Sequence, residues 1–275
     1  MAIATVTAGE PLQRLNRDLL DATRLLGRRE VRYIVDAYYM IQEHRKAVRN
    51  QQRALTVAGE PDHLPRWLGD QLETLEKQIR RAMDAWTDAH TEGRWAKSIM
   101  GIGPVLAAGL LAHIDIEKAP TVGHIWRFAG LDPTVRWERG QKRPWNASLK
   151  TLCWKIGESF VKVKGHPQDV YGKVYEARRR LEEARNARGE YAEQAARILA
   201  EKRIGKDTVA YRYYSQGKLP PAHIHARAKR YAVKLFLAHL HHVMYEVRFG
   251  SPPPKPYVIE HLGHAHFIAP PNWPM

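Results

Sequence analysis

The sequence predicts an all-α chain: a long helical hairpin or coiled-coil N-terminal half, then a helical domain containing a helix-hairpin-helix. Three observations predict it. Apolar residues recur at three- and four-residue spacing through most of residues 12–86. A Gly-x-Gly-Pro turn at 101–104 separates two apolar runs. No stretch shows the apolar–polar alternation that would build a strand ladder.

Taken in order, Leu12, Leu15, Leu19, Ala22 and Leu26 predict a first helix that Gly27 ends or bends. In a second helix Ile34, Tyr38, Ile41, Val48 and Leu55 hold heptad register, with Arg45 and Gln52 as polar interruptions. The segment Gly59-Glu60-Pro61-Asp62-His63-Leu64-Pro65 breaks it. A third helix carries the cleanest seam, Leu68, Leu72, Leu75, Ile79, Ala82 and Trp86, whose alternation of four and three marks a coiled coil. That seam is expected to be buried, against the second helix or against another subunit.

The turn Ile99-Met100-Gly101-Ile102-Gly103-Pro104 follows. Gly101 and Gly103 are expected to supply positive φ and to leave room for a phosphate, having no Cβ. Pro104 suits the first position of the next helix, where a missing N–H costs nothing. The free N–H groups of that helix end favour an anion. The alternative is a glycine-rich turn between two core helices. Residues 121–131 then form a short helix, and a basic loop runs through Arg136, Arg139, Lys142 and Arg143. Asn146 and Ser148 open a further helix, with Leu149, Leu152, Ile156 and Phe160 inward and Lys150, Lys155 and Lys162 outward. Arginine and lysine beside Trp137, Trp145 and Trp154 suit phosphates and unpaired bases respectively. Trp137 and Trp145 are expected to be the stacking residues, and Trp154 to lie in the core. The candidate nucleic-acid contacts are therefore Gly101, Gly103, Arg136, Arg139, Lys142, Arg143, Asn146 and Lys150.

A charged helix over 169–203, interrupted by Gly189, reads as a solvated arm or a dimer contact. A last helix over 222–248 starts with Arg227, Lys229, Arg230 and Lys234, which suit phosphates, and continues apolar. The domain expectation is a helical region 1–98, the hairpin with its basic loop and helix 99–166, a charged insertion with the last helix 167–250, and a proline-rich tail 251–275.

The formal net charge is +15, which favours a polyanionic partner. Cys153 is the single cysteine, so neither an internal disulfide nor a cysteine-based zinc site is available. No signal peptide or membrane-spanning run is present, and a cytoplasmic chain with no membrane partner is expected. His239 and His242 share a helix face with Glu246, and His261, His264 and His266 cluster near the end. Neither group forms a zincin pattern, so no metal and no cofactor is expected.

The series Gly101-Ile102-Gly103-Pro104, Phe128-Ala129-Gly130-Leu131-Asp132-Pro133, basic loop, and a helix opening with Asn146 and continuing Leu149-Lys150 resembles a known family. It is similar to the C-terminal half of the insertion-sequence transposases related to the Piv DNA invertase, whose members recombine DNA under an RNA guide. The resemblance covers roughly residues 68–165 and 218–248. It implies an N-terminal ribonuclease-H-like domain with an acidic tetrad, and a nucleophilic serine before a glycine in the basic loop. This chain departs from both. Its N-terminal part is short and helical, and Asp36, the one candidate for a first-strand carboxylate, sits in the heptad-like run. Arg139-Gly140 stands where the serine is expected, leaving Ser148 as the only substitute nucleophile. Three functions remain open. The first is an oligomeric nucleic-acid-binding protein without its own catalysis, holding DNA in preference to structured RNA. The second is a recombinase with a displaced nucleophile or a partner's acidic domain. The third is a structural interaction module.

Overall fold

The computed structural model describes residues 14–254 and 268–275. Leu12 and the His261, His264 and His266 group lie outside the described residues. Among the described residues the chain is all-α, with eleven α-helices, one short 3-10 turn and no strand. None of these helices is long and apolar enough to cross a membrane. The chain divides into two compact units. The first takes the residues up to Arg94 together with Gly103–Ile114, and the second takes Trp95–Ile102 and the residues from Asp115 onward.

The first unit contains α1 (Arg17–Thr23), α2 (Arg28–Ala58), α3 (His63–Asp88) and α5 (Pro104–His113), and α4 (Thr91–Ser98) carries the chain out of it. Asn16 caps α1, its Oδ1 accepting from the Leu19 N–H at 2.8 Å. Gly59 ends α2 at φ 73°, a left-handed C-cap that spares a Cβ clash. α2 and α3 lie along each other, and α5 packs on both. The apolar core is concentrated at one end of this pair, where Val31, Val35, Ala82, Met83 and Trp86 are buried. Further along, α2 and α3 are joined by polar groups. Arg45 Nε donates to Glu76 at 2.5 Å, and Tyr38 donates to the same carboxylate at 3.0 Å. Arg49 reaches Asp70 at 2.6 Å and Glu73 at 3.1 Å, across the bare backbone of Gly69.

In the single chain the leucine seam is only partly buried. It is buried at Ala82 and Trp86, half-buried at Leu72, Leu75 and Ile79, and open at Leu68, which is 40% exposed. The face of α3 turned to α2 is shifted one position along, to Gly69, Glu73 and Glu76, because the basic residues of α2 select carboxylates there. α1 packs on α3, and Trp86 Nε1 donates to the Leu26 carbonyl at 3.0 Å.

The second unit contains the 3-10 turn Ile116–Lys118, α6 (Val122–Phe128), α7 (Ala147–Val163), α8 (Tyr171–Ala187), α9 (Ala192–Glu201), α10 (Val209–Ser215) and α11 (Pro221–Phe249). α11 is the central element, packed by α6, α7 and α8. Its core is aromatic: Phe160 stacks on Tyr171 at 4.9 Å, and Phe236 meets Tyr171 edge-on at 5.3 Å. The expected solvated arm is two helices, α8 and α9, broken at Gly189, whose φ is 79°. α8 packs along α11 through Tyr171, Gly172 and Tyr175, with Glu182 buried beside them. That carboxylate accepts from Arg227 at 2.7 Å and from Tyr191, and pairs with Arg178. Burial alone would push Glu182 up, but these donors hold it below the usual glutamate range.

Candidate nucleic-acid interface

The glycine turn begins where α4 ends. Ile102 N–H donates to the Ile99 carbonyl at 2.9 Å, closing the turn around Gly101. Gly101 sits at φ 96°, as expected, and its carbonyl accepts from Ser159 Oγ of α7 at 2.5 Å. A Cβ there would come within 3.3 Å of Ser159 and Val163, so Gly101 is also a close-packing glycine. Gly103 corrects the expectation. Its backbone is extended, at φ −93° and ψ 174°, and a Cβ there would meet nothing within 4 Å. Its lack of a side chain is thus not required by the turn's conformation. Pro104 opens α5 as expected. Gly101 belongs to the second unit, whereas Gly103 and Pro104 belong to the first.

The basic loop lies wholly in the second unit. It leaves α6 through Gly130 at φ 65°, where a Cβ would come within 2.9 Å of the Trp145 ring. Asp132 Oδ1 then accepts from Thr134 N–H at 2.9 Å and from its hydroxyl at 2.7 Å. Those bonds hold the Asp132 carboxyl below the usual range. Arg136, Arg139, Lys142 and Arg143 are all exposed, and Gly140, at φ 92°, turns the chain beside Arg139. Among the described residues none of these four cations is held by a carboxylate. Trp137 Nε1 donates to the Gln141 carbonyl at 2.7 Å, which ties the loop back on itself. Arg143 lies 5.4 Å from the Trp137 ring centroid, and Trp137 meets Trp145 edge-on at 6.5 Å. Lys150 Nζ stands 3.9 Å above Trp145. Desolvation there, together with the positive charges of Arg143 and Arg230, holds the lysine below its ordinary range.

Asn146 is the N-cap of α7, its Oδ1 accepting from Leu149 N–H at 2.8 Å. That bond occupies the side-chain oxygen while leaving the amide group to solvent. Ser148 is exposed in the first turn of α7, and no base is hydrogen-bonded to its hydroxyl among the described residues. Burial pushes the Cys153 thiol up to about 12, which leaves it inert as a nucleophile.

Two further expectations change. Trp154 is not in the core but 61% exposed, with Lys229 Nζ 5.7 Å from its ring. It falls outside the 149, 152, 156, 160 stripe that α7 buries, on a flank of that face that stays open. The basic start of α11 is spent largely on internal partners. Arg227 pairs with Glu182, Lys229 pairs with Glu158, and Lys234 lies 4.0 Å from the Trp126 ring. Asp36 lies exposed on helix α2, as its place in the heptad-like run implies.

His239 and His242 of α11 are engaged in internal contacts. His239 is buried, with Nδ1 accepting from the Tyr171 hydroxyl at 2.7 Å and Nε2 donating to the Ile268 carbonyl at 2.9 Å. With both nitrogens occupied it has no lone pair for a metal, and its partner candidate His242 pairs with Glu246 at 2.9 Å.

Residues 94–144 match the family model described as Transposase IS116/IS110/IS902 family. This segment is similar to that family. It runs from the middle of α4 through the glycine turn, α5, α6 and the basic loop, and so includes Gly101, Gly103, Arg136, Arg139, Lys142 and Arg143. The matched segment stops before Asn146, Ser148, Lys150 and Trp154. No curated protein and no solved structure matches the chain.

Proposed function

We propose that this chain is a DNA-binding protein of transposase origin that grips the phosphate backbone and lacks strand chemistry of its own. The observation that carries this reading is the basic loop. Arg136, Arg139, Lys142 and Arg143 stand exposed without carboxylates, whereas Arg45, Arg49, Arg227 and Lys229 elsewhere are ion-paired. A set of unneutralised cations on a Trp-braced loop suits phosphates, which release counterions on binding. In this reading the N-terminus of α5 offers its free backbone N–H groups to a phosphate.

Arg139 stands where the resemblance to the Piv-related transposases implies a serine. A guanidinium holds a phosphate through a charge-assisted fork but forms no phosphodiester link. Ser148, without a neighbouring base, is not activated as a nucleophile. The open apolar side of α3 around Leu64, Trp67 and Leu68 supports pairing of subunits through the α2–α3 pair. The test is to incubate the protein with labelled duplex, bulged and single-stranded DNA plus Mg²⁺, then denature. Binding without nicks or a covalent adduct is expected. An adduct that disappears in Ser148→Ala would establish the recombinase reading instead.

A further inference from the structure

The proposed grip on phosphates does not account for Trp154. An isolated exposed tryptophan is unremarkable on a soluble surface. Its neighbours set this one apart. Trp154 lies one helical turn along α7 from Lys150, and both side chains are exposed. Lys150 in turn lies in the field of Arg143 and Arg230. Trp137, 38% exposed, stands at the loop end of the same group beneath Arg143. On the other side Lys229 approaches the Trp154 ring, and Glu158, one turn further along α7, is neutralised by that lysine. Trp145, by contrast, is roofed by Lys150 and packed on Gly130, so it braces the surface and offers little free ring. Aromatic rings thus alternate with cations from the basic loop along α7. This is the pattern that tracks a single strand, in which cations follow the backbone and bases stack on rings without sequence preference.

We propose that the α7 surface centred on Trp154, with Lys150 and Trp137, binds an unpaired stretch of the DNA held by the basic loop, one base stacking on Trp154. A fully paired duplex shields its base faces, so Trp154 has no ring partner there. The inference rests on the DNA-binding reading and adds the strand state that this surface selects.

The experiment measures anisotropy of labelled oligothymidylate, an equally long duplex and oligouridylate with the full chain and with Trp154→Ala and Trp154→Phe. Both side chains are solvent-facing replacements, and circular dichroism checks that they fold alike. Trp154→Ala is expected to weaken oligothymidylate binding by roughly 5- to 100-fold, to leave duplex binding within about twofold, and to be largely rescued by phenylalanine. Unchanged oligothymidylate binding in Trp154→Ala would overturn the stacking site while leaving duplex binding, and the proposed function, intact. Equal losses on both DNAs would also overturn it, as would a Trp154-dependent preference for oligouridylate, which would make RNA the ligand. A change of oligomeric mass in Trp154→Ala would show a protein contact instead. Failure of the unaltered chain to bind any of the DNAs would overturn the function itself.

Discussion

At the scale of single residues, the two glycines of the turn carry different burdens. Gly101 is left-handed and packed against Ser159 and Val163, whereas Gly103 is extended and open. Gly101→Ala is expected to lower stability by about 1–2 kcal/mol from its backbone alone, with packing strain added. Gly103→Ala should leave thermal stability unchanged, and melting curves of the two variants check the contrast. The motif Gly-x-Gly-Pro announced a turn and a helix start, but dihedral angles depend on what packs nearby, which the motif does not state. His239 supplies a second prediction. Burial against Tyr171 pushes it down to about 4, so the folded chain keeps it neutral where the unfolded chain takes up a proton. Its depressed value contributes stability above about pH 6.5 that is lost as pH falls toward 4, on the order of 3 kcal/mol in all. Denaturant titrations between those limits should show a shallower pH dependence in His239→Gln.

At the scale of elements, helix stops were legible because glycine is nearly alone in accepting positive φ. Gly59, Gly130, Gly189 and Gly250 all take it where a helix ends or soon after. The packing faces were less legible. The leucine seam of α3 predicts a face buried against α2 or another subunit, yet much of the contact with α2 is made by Glu73, Glu76 and Asp70 with arginines of α2. Periodicity finds an apolar stripe but cannot rank it against an adjacent stripe of complementary charge. The helix α10 gave no apolar period, and its packing on α9 near the Tyr191, Leu219 and Ile224 cluster is a tertiary effect. The two ends of α3 should therefore respond differently. Met83→Asp buries a charge without a partner and is expected to cost about 3–5 kcal/mol. Leu68→Lys should leave the melting temperature unchanged while lowering the mass seen by light scattering, if the open seam pairs subunits. A Leu68→Lys protein of unaltered mass would remove the oligomeric part of the proposal.

At the scale of the whole molecule, the +15 charge pointed to a polyanion but not to which cations face it. The fold makes that division: many basic groups neutralise internal carboxylates, and the loop cations do not. Most of the candidate site was legible as a basic loop with tryptophans, since Arg136, Arg139, Lys142 and Arg143 are all exposed as read. Trp154 was not legible in this way: it flanks the buried face of α7 next to Cys153, and which flank stays open is decided by what packs there. The most direct measurement of the central claim is the salt dependence of duplex DNA affinity, for the unaltered chain and for a variant with Arg136, Arg139, Lys142 and Arg143 replaced by alanine. If those four cations meet phosphates, the variant should lose about 3.6 from the magnitude of the slope of log affinity against log salt. The same slope in both proteins, or no salt dependence in either, would contradict the account.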